Sequence, residues 1–275
     1  MIKVTIQDFT GVYAEQPFMQ ELRRSATADG EIRWFDCTQI DGSDCYCDDE
    51  AQAILGQQIE SVGNNTIGIH FFDNGNYHYM SKLWTDCVQE PFDLVVFDHH
   101  PDMQPPRFEG ILSCGGWIKE VLDHNKFVQN VTVIGVADHL VEEIREDLTQ
   151  ANAAEILNRV TFIRESELKK HPENLSSLVC SELASVLSSN IYLSIDKDAL
   201  STAEAATNWD QGSLTFNQLA DTLKSLAENR KILGIDICGE RARDMGFEDT
   251  AAADALNNAL NEKLFRMLTR LHGIQ

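Results

Sequence analysis

The chain has 275 residues, 43% of them apolar and 24% charged, which is typical of a globular protein with enough chain for a large buried core. Its formal net charge of −22 at pH 7 repels phosphate backbones and anionic membranes, so we expect neither nucleic acid nor a membrane as partner. A neutral or cationic small molecule fits this charge better, and a homo-oligomer is compatible with the sequence.

The N-terminal segment and the cysteines indicate the compartment. The start MIKVTIQDFTGVY lacks the features of a signal peptide, and no stretch approaches the length of about 18 apolar residues that a membrane span requires. The seven cysteines are odd in number and irregularly spaced, which argues against a disulfide framework. We therefore expect a protein of the reducing cytoplasm.

Short β-branched or aromatic runs alternate with longer helical patterns along the chain. The predicted strands are residues 2–6, 32–37, 66–72, 93–98, 131–137, 160–163, 191–196 and 232–238. The predicted helices are residues 77–88, 115–124, 140–157, 176–188, 216–229 and 250–271. Several strands are continuously apolar, which is typical of strands covered on both faces. The pattern predicts an α/β fold of one domain over residues 1–275, a three-layer α/β/α sandwich around a mostly parallel, doubly wound sheet.

Acidic residues and histidines follow four of the predicted strands. The segments concerned are Asp98-His99-His100-Pro101-Asp102, Asp196-Lys197-Asp198, Gly239-Glu240, and the turn 73–77 that leads to His78. Ligands of an open parallel sheet bind at the carboxyl ends of its strands. A single acidic residue after a strand often caps the next helix, but four such segments at one edge would repel each other unless a cation were bound.

The spacing of these residues favours a metal site. In D-x-H-x-D, residues two apart point to similar sides, so Asp98, His100 and Asp102 can face one cavity, and the same holds for Asp196 and Asp198. Oxygen-rich sites with one or two imidazoles favour metals such as Mn²⁺. Two metals about 3.5–4 Å apart need bridging carboxylates, which this set can supply.

Together these segments resemble the markers of the arginase/agmatinase/formiminoglutamase (ureohydrolase) superfamily. That family has a glycine-rich turn ending in histidine, then D-A-H-x-D, then S-x-D-x-D, and the order and spacing agree from about residue 66 to 240. The counterparts here are Gly75-Asn76-Tyr77-His78, Asp98-His99-His100-Pro101-Asp102, Ser194-Ile195-Asp196-Lys197-Asp198 and, at a helix start, Gly212-Ser213-Leu214-Thr215-Phe216.

The resemblance implies two divalent metal ions, expected to be Mn²⁺, and a hydroxide between them that attacks an amidine or guanidine carbon. One ion would be held by His78, Asp98, Asp102 and Asp196, and the other by Asp98, His100, Asp196 and Asp198. Asp98 and Asp196 would thus bridge the ions, and Asp102 would also orient the hydroxide. Glu240 would pair with the cationic head of the substrate.

The chain also departs from the family markers. Tyr77 replaces the aspartate before the first histidine, His99 replaces alanine, and Glu240 comes one residue later than the family's glutamate. Residues 112–117 lack the family's proton-shuttling histidine and contain Cys114, which is either an ordinary buried cysteine or a pocket thiol able to act as an acid.

These departures leave two alternatives to a ureohydrolase. One is a related deacetylase or amidohydrolase that acts on an amide, and the other is a metal-binding protein of this fold without turnover. The pair Cys45 and Cys47 is either part of a surface loop or a thiol or metal motif near the pocket mouth.

Overall fold

The main sheet has eight strands, all of them parallel. The structure is a computed structural model that describes residues 2–27, 30–63, 68–105, 111–170, 175–183, 188–228, 230–241 and 250–271. The strands are β1 (Lys3–Asp8), β2 (Ile32–Asp36), β3 (Tyr46–Cys47), β4 (Gly68–Phe71), β5 (Phe92–Phe97), β6 (Leu112–Ser113), β7 (Val128–Val136), β8 (Val160–Arg164), β9 (Asn190–Asp196) and β10 (Lys231–Cys238). The order in the sheet is β2-β1-β4-β10-β9-β5-β7-β8, while β3 and β6 form a separate two-stranded ribbon. The predicted parallel sheet is thereby confirmed.

The helices connect these strands. They are α1 (Pro17–Ser25), α2 (Asp49–Ser61), α3 (Met80–Thr85), α4 (Trp117–His124), α5 (Asp138–Gln150), α6 (Glu165–Lys170), α7 (Leu175–Leu183), α8 (Phe216–Ala227) and α9 (Thr250–Leu268). The capping box at Thr215 and Gln218 is present at the start of α8. Residues 66, 67, 184–187 and 229 of the predicted elements lie outside the described residues.

The sequence patterns missed three helices and extended another too far. Helices α1, α2 and α6 were not predicted, although α2 begins with an Asp48 side chain that accepts the N–H of Ala51. Helix α5 ends at Gln150 and not at 157, because Asn152 adopts a left-handed conformation with φ 54°. The chain then continues as the 3-10 turn Ala154–Arg159.

Both faces of the sheet are covered by helices, which explains the apolar strands. In β5, Val95 and Phe97 pack into one hydrophobic core, whereas Leu94 and Val96 pack into the other. Strands buried on both sides need apolar residues at every position. No helix among the described residues has the length and apolar character needed to cross a membrane.

Candidate metal centre

The predicted ligands lie together at the carboxyl ends of neighbouring strands. Strands β4, β10, β9 and β5 are adjacent in that order. His78 follows β4, Asp98 directly follows β5, and Asp196 is the last residue of β9. Five of the six predicted ligands are buried and one, His100, is half-buried; the set is His78, Asp98, His100, Asp102, Asp196 and Asp198.

A first group of ligand atoms surrounds the Nδ1 atom of His78. This nitrogen lies 3.1 Å from Asp98 Oδ2, 3.0 Å from Asp102 Oδ2 and 3.6 Å from Asp196 Oδ2. Asp102 reaches this position with φ 46°, a left-handed conformation that is unfavourable for a residue other than glycine. His78, Asp98 and Asp102 have the ligand types and the mutual proximity that a divalent metal ion requires.

A second group surrounds the Nδ1 atom of His100. That nitrogen lies 2.9 Å from Asp198 Oδ2 and 3.5 Å from Asp98 Oδ1. Asp98, His100 and Asp198 therefore form another set able to hold a metal. In this arrangement Asp196 contributes its Oδ2 atom to the first group, while its Oδ1 accepts the backbone N–H of Asp198.

Asp98 belongs to both groups through different oxygens. Its Oδ1 faces His100, whereas its Oδ2 faces His78. Although His78 Nδ1 is 3.1 Å from Oδ2, the geometry is not that of a hydrogen bond, and this buried oxygen has no hydrogen-bond partner among the described residues. A buried oxygen without a partner is costly, and a cation coordinated there would remove that cost. The observed donors thus fit a pair of metal ions.

The electrostatics of the site also favour cations. Burial, followed by repulsion from Asp198, raises the pKa of Asp196 to about 7. Burial and the nearby Asp98 raise the pKa of Asp198 to about 6. Burial opposes protonation of His100, but its hydrogen bonds with Asp198 and Asp98 more than offset this and raise its pKa. Each shift reflects excess negative charge in a buried place, which divalent ions would compensate.

Further side chains orient the ligands. His78 Nε2 is 2.9 Å from Ser194 Oγ, so its Nδ1 atom faces the carboxylates. The indole N–H of Trp117 donates to Asp102 Oδ2 across 2.8 Å. The thiol of Cys238 donates to Asp196 Oδ2 across 3.2 Å. Such supporting hydrogen bonds fix the orientation and basicity of metal ligands.

Cys238 was missed by the sequence analysis. It ends β10 beside Asp196 of β9, and with His78 and Asp196 it forms a third potential ligand group. Gly239 follows with φ +90°, and a Cβ atom at this position would lie 2.4 Å from Asp196 Oδ1. The signal available in the sequence was the same one that identified Asp196, namely a polar side chain at the end of a central strand. Trp117 gave no comparable signal, because an apolar residue in a helix is ordinary core.

A cavity of about 370 Å³ opens above these groups, and we call it the metal cavity. The ligands that line it are Asp98, His100, Asp102, Asp196 and Asp198. Its walls include Cys45, Tyr46, Cys114, Leu140 and Trp209. Cys114 therefore lies where the sequence analysis expected a pocket thiol, although its chemical role stays a prediction. The walls thus combine two thiols with two aromatic rings above an acidic floor.

Glu240 is placed differently from the other predicted site residues. It is fully buried, is not among the residues that line the metal cavity, and forms an ion pair with Lys197. Gln16 Nε2 and Asn261 Nδ2 also donate to its carboxylate at 2.9 and 2.7 Å. The negative charge of Glu240 is thus compensated inside the protein, and its pairing with a substrate stays a prediction from the resemblance.

A parallel α/β/α sandwich with carboxylate–imidazole groups at the ends of its central strands has the architecture of a metal-dependent hydrolase. The family model of the arginase family matches residues 63–254, which is more than half of the chain. The chain therefore belongs to the arginase family, whose members are hydrolases that act on C–N bonds.

One relative by sequence is an uncharacterized protein of Thermotoga maritima, 28% identical over 241 residues that make up 86% of this chain and 79% of that protein. Among solved structures, proclavaminate amidino hydrolase from Streptomyces clavuligerus superimposes with a TM-score of 0.66 at 15% identity, over 99% of this chain and 93% of that one. The agmatine ureohydrolase of Thermoplasma volcanium gives 0.63 at 15% identity, over 96% and 92%. Trypanosoma cruzi formiminoglutamase with Mn²⁺ gives 0.60 at 13%, over 94% and 92%. At these low sequence identities, the structural similarity shows that the fold is shared and nothing further.

Proposed function

We propose that this chain is a binuclear metal hydrolase that cleaves a linear C–N bond in an amidine or guanidino compound, with Mn²⁺ as the expected metal. The single observation that supports it best is the position of Asp98, whose two oxygens face two different histidines. A carboxylate in this position can bridge two ions, as binuclear hydrolysis requires. The similar structures include an amidino hydrolase, an agmatine ureohydrolase and a formiminoglutamase with Mn²⁺, which agrees with this class of substrate.

The proposal assigns a task to each ligand. His78, Asp98, Asp102 and Asp196 would hold one ion, and Asp98, His100, Asp196 and Asp198 the other, as the resemblance implies. Ions held there would supply Lewis acidity, which would make water nucleophilic near neutral pH and polarise the substrate. Asp102, fixed by Trp117, is assigned to orient the attacking water.

The walls of the metal cavity suit a planar cation. Trp209 lies on the wall beside the His100 ring, with ring centroids 5.7 Å apart, and it is 42% exposed. An aromatic ring attracts a delocalised cation such as an amidinium or guanidinium group. Glu143 and Asp147, which also line the cavity and are not among the proposed ligands, add attraction for a cation. A cationic or neutral amidine therefore fits this cavity better than an anion.

The proposed reaction must deliver a proton to the departing amine. Residues 112–117 contain no histidine that could do this. Cys114 is the thiol in that segment, and it lies on the cavity wall. A positioned acid typically contributes about 10²–10⁴-fold to the rate. We therefore expect slow or absent hydrolysis of arginine, and faster turnover of substrates whose leaving group needs less protonation.

Release of urea or ammonia from a panel of amidines and guanidino compounds, with and without added Mn²⁺, tests the proposal. We expect metal-dependent release from at least one compound and none from Asp98→Asn. Asp123→Asn, on an exposed part of α4, serves as the matched control with full activity. Hydrolysis of amides alone, or no hydrolysis of any amidine by metal-loaded protein, would refute the assignment. Rapid arginine hydrolysis at neutral pH would refute the expectation that arginine is a poor substrate of a chain with Cys114 in this segment.

A further inference from the structure

Two cysteines on the wall of the metal cavity lie directly opposite each other. Cys45 precedes β3 and Cys114 follows β6, and the antiparallel pairing of Tyr46 with Ser113 places the two cysteines at facing positions. The backbone N–H of Cys114 donates to the carbonyl of Cys45 across 2.9 Å. Opposed residues of such ribbons have Cβ atoms about 4.5–5.5 Å apart, and a disulfide needs about 3.5–4.5 Å. Cys45 and Cys114 continue this ribbon by one position, and a hydrogen bond joins their thiols, so the two sulfurs are already neighbours.

The thiols already interact with each other. A hydrogen bond from Cys114 lowers the pKa of the Cys45 thiol below its ordinary value. The same hydrogen bond, followed by burial, raises the pKa of Cys114. Lowered thiol pKa values favour the thiolate, which is the nucleophile in thiol–disulfide exchange. Cys45 is thus suited to be the attacking sulfur and Cys114 to be the resolving one.

The other cysteines differ from Cys45 in the direction of their pKa shifts. Cys37, Cys47 and Cys238 are buried, and burial is the first cause that raises each of their pKa values. Burial likewise raises the pKa values of the half-buried Cys87 and Cys180. Of the seven cysteines, Cys45 alone has a lowered pKa, and it is also accessible from a cavity.

The backbone at Cys45 is held in an unfavourable conformation. Its φ is 58°, in the left-handed region that residues with a Cβ rarely adopt. Neighbouring contacts fix the loop, since Asp44 accepts an N–H of Asn76 at 2.9 Å and Tyr79 donates to the carbonyl of Ser43 at 2.5 Å. Strained residues persist where the surroundings fix them and are concentrated at functional sites. The conformation places the Cys45 thiol at the cavity and not in the core that holds Cys47.

We propose that Cys45 and Cys114 are a redox-active dithiol that closes reversibly to a disulfide on the wall of the metal cavity. The oxidant is a low-molecular-weight disulfide of the glutathione type. The Cys45 thiolate attacks one of its sulfurs, the small S–S bond breaks, and one small thiolate leaves and takes up a proton. The Cys114 thiol then loses its proton and attacks Sγ of Cys45. The Cys45–Cys114 bond forms, and the second small thiolate leaves and takes up a proton.

Closure of this bond would change the chemistry available in the cavity. The protein loses two electrons and two protons to the small disulfide, so neither sulfur retains an S–H. The Cys114 thiol, which lies on the cavity wall, therefore loses its proton on oxidation. This effect on hydrolysis rests on the proposed function, whereas formation of the bond itself does not.

The test is a redox titration of the full chain in buffers of graded ratio of oxidised to reduced glutathione, followed by thiol counting and peptide mapping. We expect the loss of two thiols per chain and a cross-linked peptide pair that contains Cys45 and Cys114. Cys45→Ser and Cys114→Ser should each abolish the cross-link, and Cys180→Ser, on α7, should leave it intact. Reduction should restore both thiols.

Oxidation that joins other cysteines, or a glutathione adduct on Cys45 that never resolves, would overturn the proposal. So would two free thiols at these positions in the most oxidising buffer. Hydrolysis is measured separately on the reduced and oxidised protein, and a several-fold lower rate in the oxidised form is expected. An unchanged rate would refute the effect on hydrolysis. Mapping of the cross-link shows whether the Cys45–Cys114 bond forms, even if the protein turns over no substrate.

Discussion

Trp117 donates its indole N–H to Asp102 Oδ2 across 2.8 Å, and both side chains are buried. The contact joins the first residue of α4 to the end of the ligand segment that follows β5. Asp102 combines this donor with a strained backbone and with the imidazole of His78, whose Nδ1 lies 3.0 Å from the same oxygen. The helix thereby fixes a predicted metal ligand that is 15 residues away in the chain.

Trp117→Phe removes this donor and keeps an aromatic ring. Loss of a hydrogen bond to a metal ligand typically lowers metal affinity by about 10–100-fold, so we expect weaker binding of the ion at His78. Competition with a chelator measures the affinity. Trp34→Phe, in β2 at the far edge of the sheet, is the matched control and should leave the affinity unchanged. Equal effects of both substitutions would mean that general loosening of the core is responsible.

Purified protein should bind two divalent ions per chain. The reason is the presence of two histidine-centred ligand groups that share Asp98. Elemental analysis after loading with Mn²⁺ and removal of unbound metal measures the ratio. A ratio that stays at one or zero in excess metal would reject the binuclear assignment.

Substitutions of the bridging and terminal ligands should differ in effect. Asp98→Asn or Asp196→Asn should disrupt both ions, because a bridging carboxylate contacts both. His78→Ala or His100→Ala should mainly weaken one ion, since each imidazole faces one group. Stepwise metal titration of the four variants separates these outcomes. Small and equal losses in all of them would contradict the assigned roles.

The buried ion pair of Lys197 and Glu240 should matter for stability. Both side chains are fully buried, so Lys197→Met would leave an unpaired charge and lower the free energy of unfolding by about 3–5 kcal/mol. Lys197→Met combined with Glu240→Leu should cost less than the single change. Lys231→Met breaks a pair whose partners are 43% and 46% exposed, and we expect about 0–1 kcal/mol. Denaturant unfolding of metal-free protein measures all three.

Glu240→Gln separates the two roles considered for that residue. The resemblance predicts normal metal binding and impaired use of a cationic substrate. The ion pair with Lys197 predicts instead a loss of stability with equal effects on cationic and neutral substrates. The ratio of kcat/KM for a charged and an uncharged amidine decides between them. Loss of metal would show that Glu240 is itself a ligand.

The sequence by itself determined the sheet and selected most of the candidate ligands that the structure brings together. Continuous apolar runs identify strands covered on both faces, and the runs 93–98 and 191–196 each end in an aspartate where the chain leaves the core. The D-x-H-x-D spacing fixes which side chains share a face, so Asp98, His100 and Asp102 could be selected without coordinates. The predicted helix 140–157 was too long. The apolar periodicity continues to residue 157, but the left-handed conformation of Asn152 ends helix α5 before it.

Only the tertiary structure decided which of these residues meet. The order β4-β10-β9-β5 places β10 between strands that are far apart in the chain, and sequence periodicity contains no information about that order. It brings Cys238 to Asp196, and the pairing of β3 with β6 brings Cys45 to Cys114. Glu240 follows the same strand end as Cys238, yet the left-handed turn at Gly239 precedes it and Lys197 pairs with it in the interior. The reason is physical: contacts between distant segments depend on packing and charge compensation, which local residue patterns do not specify.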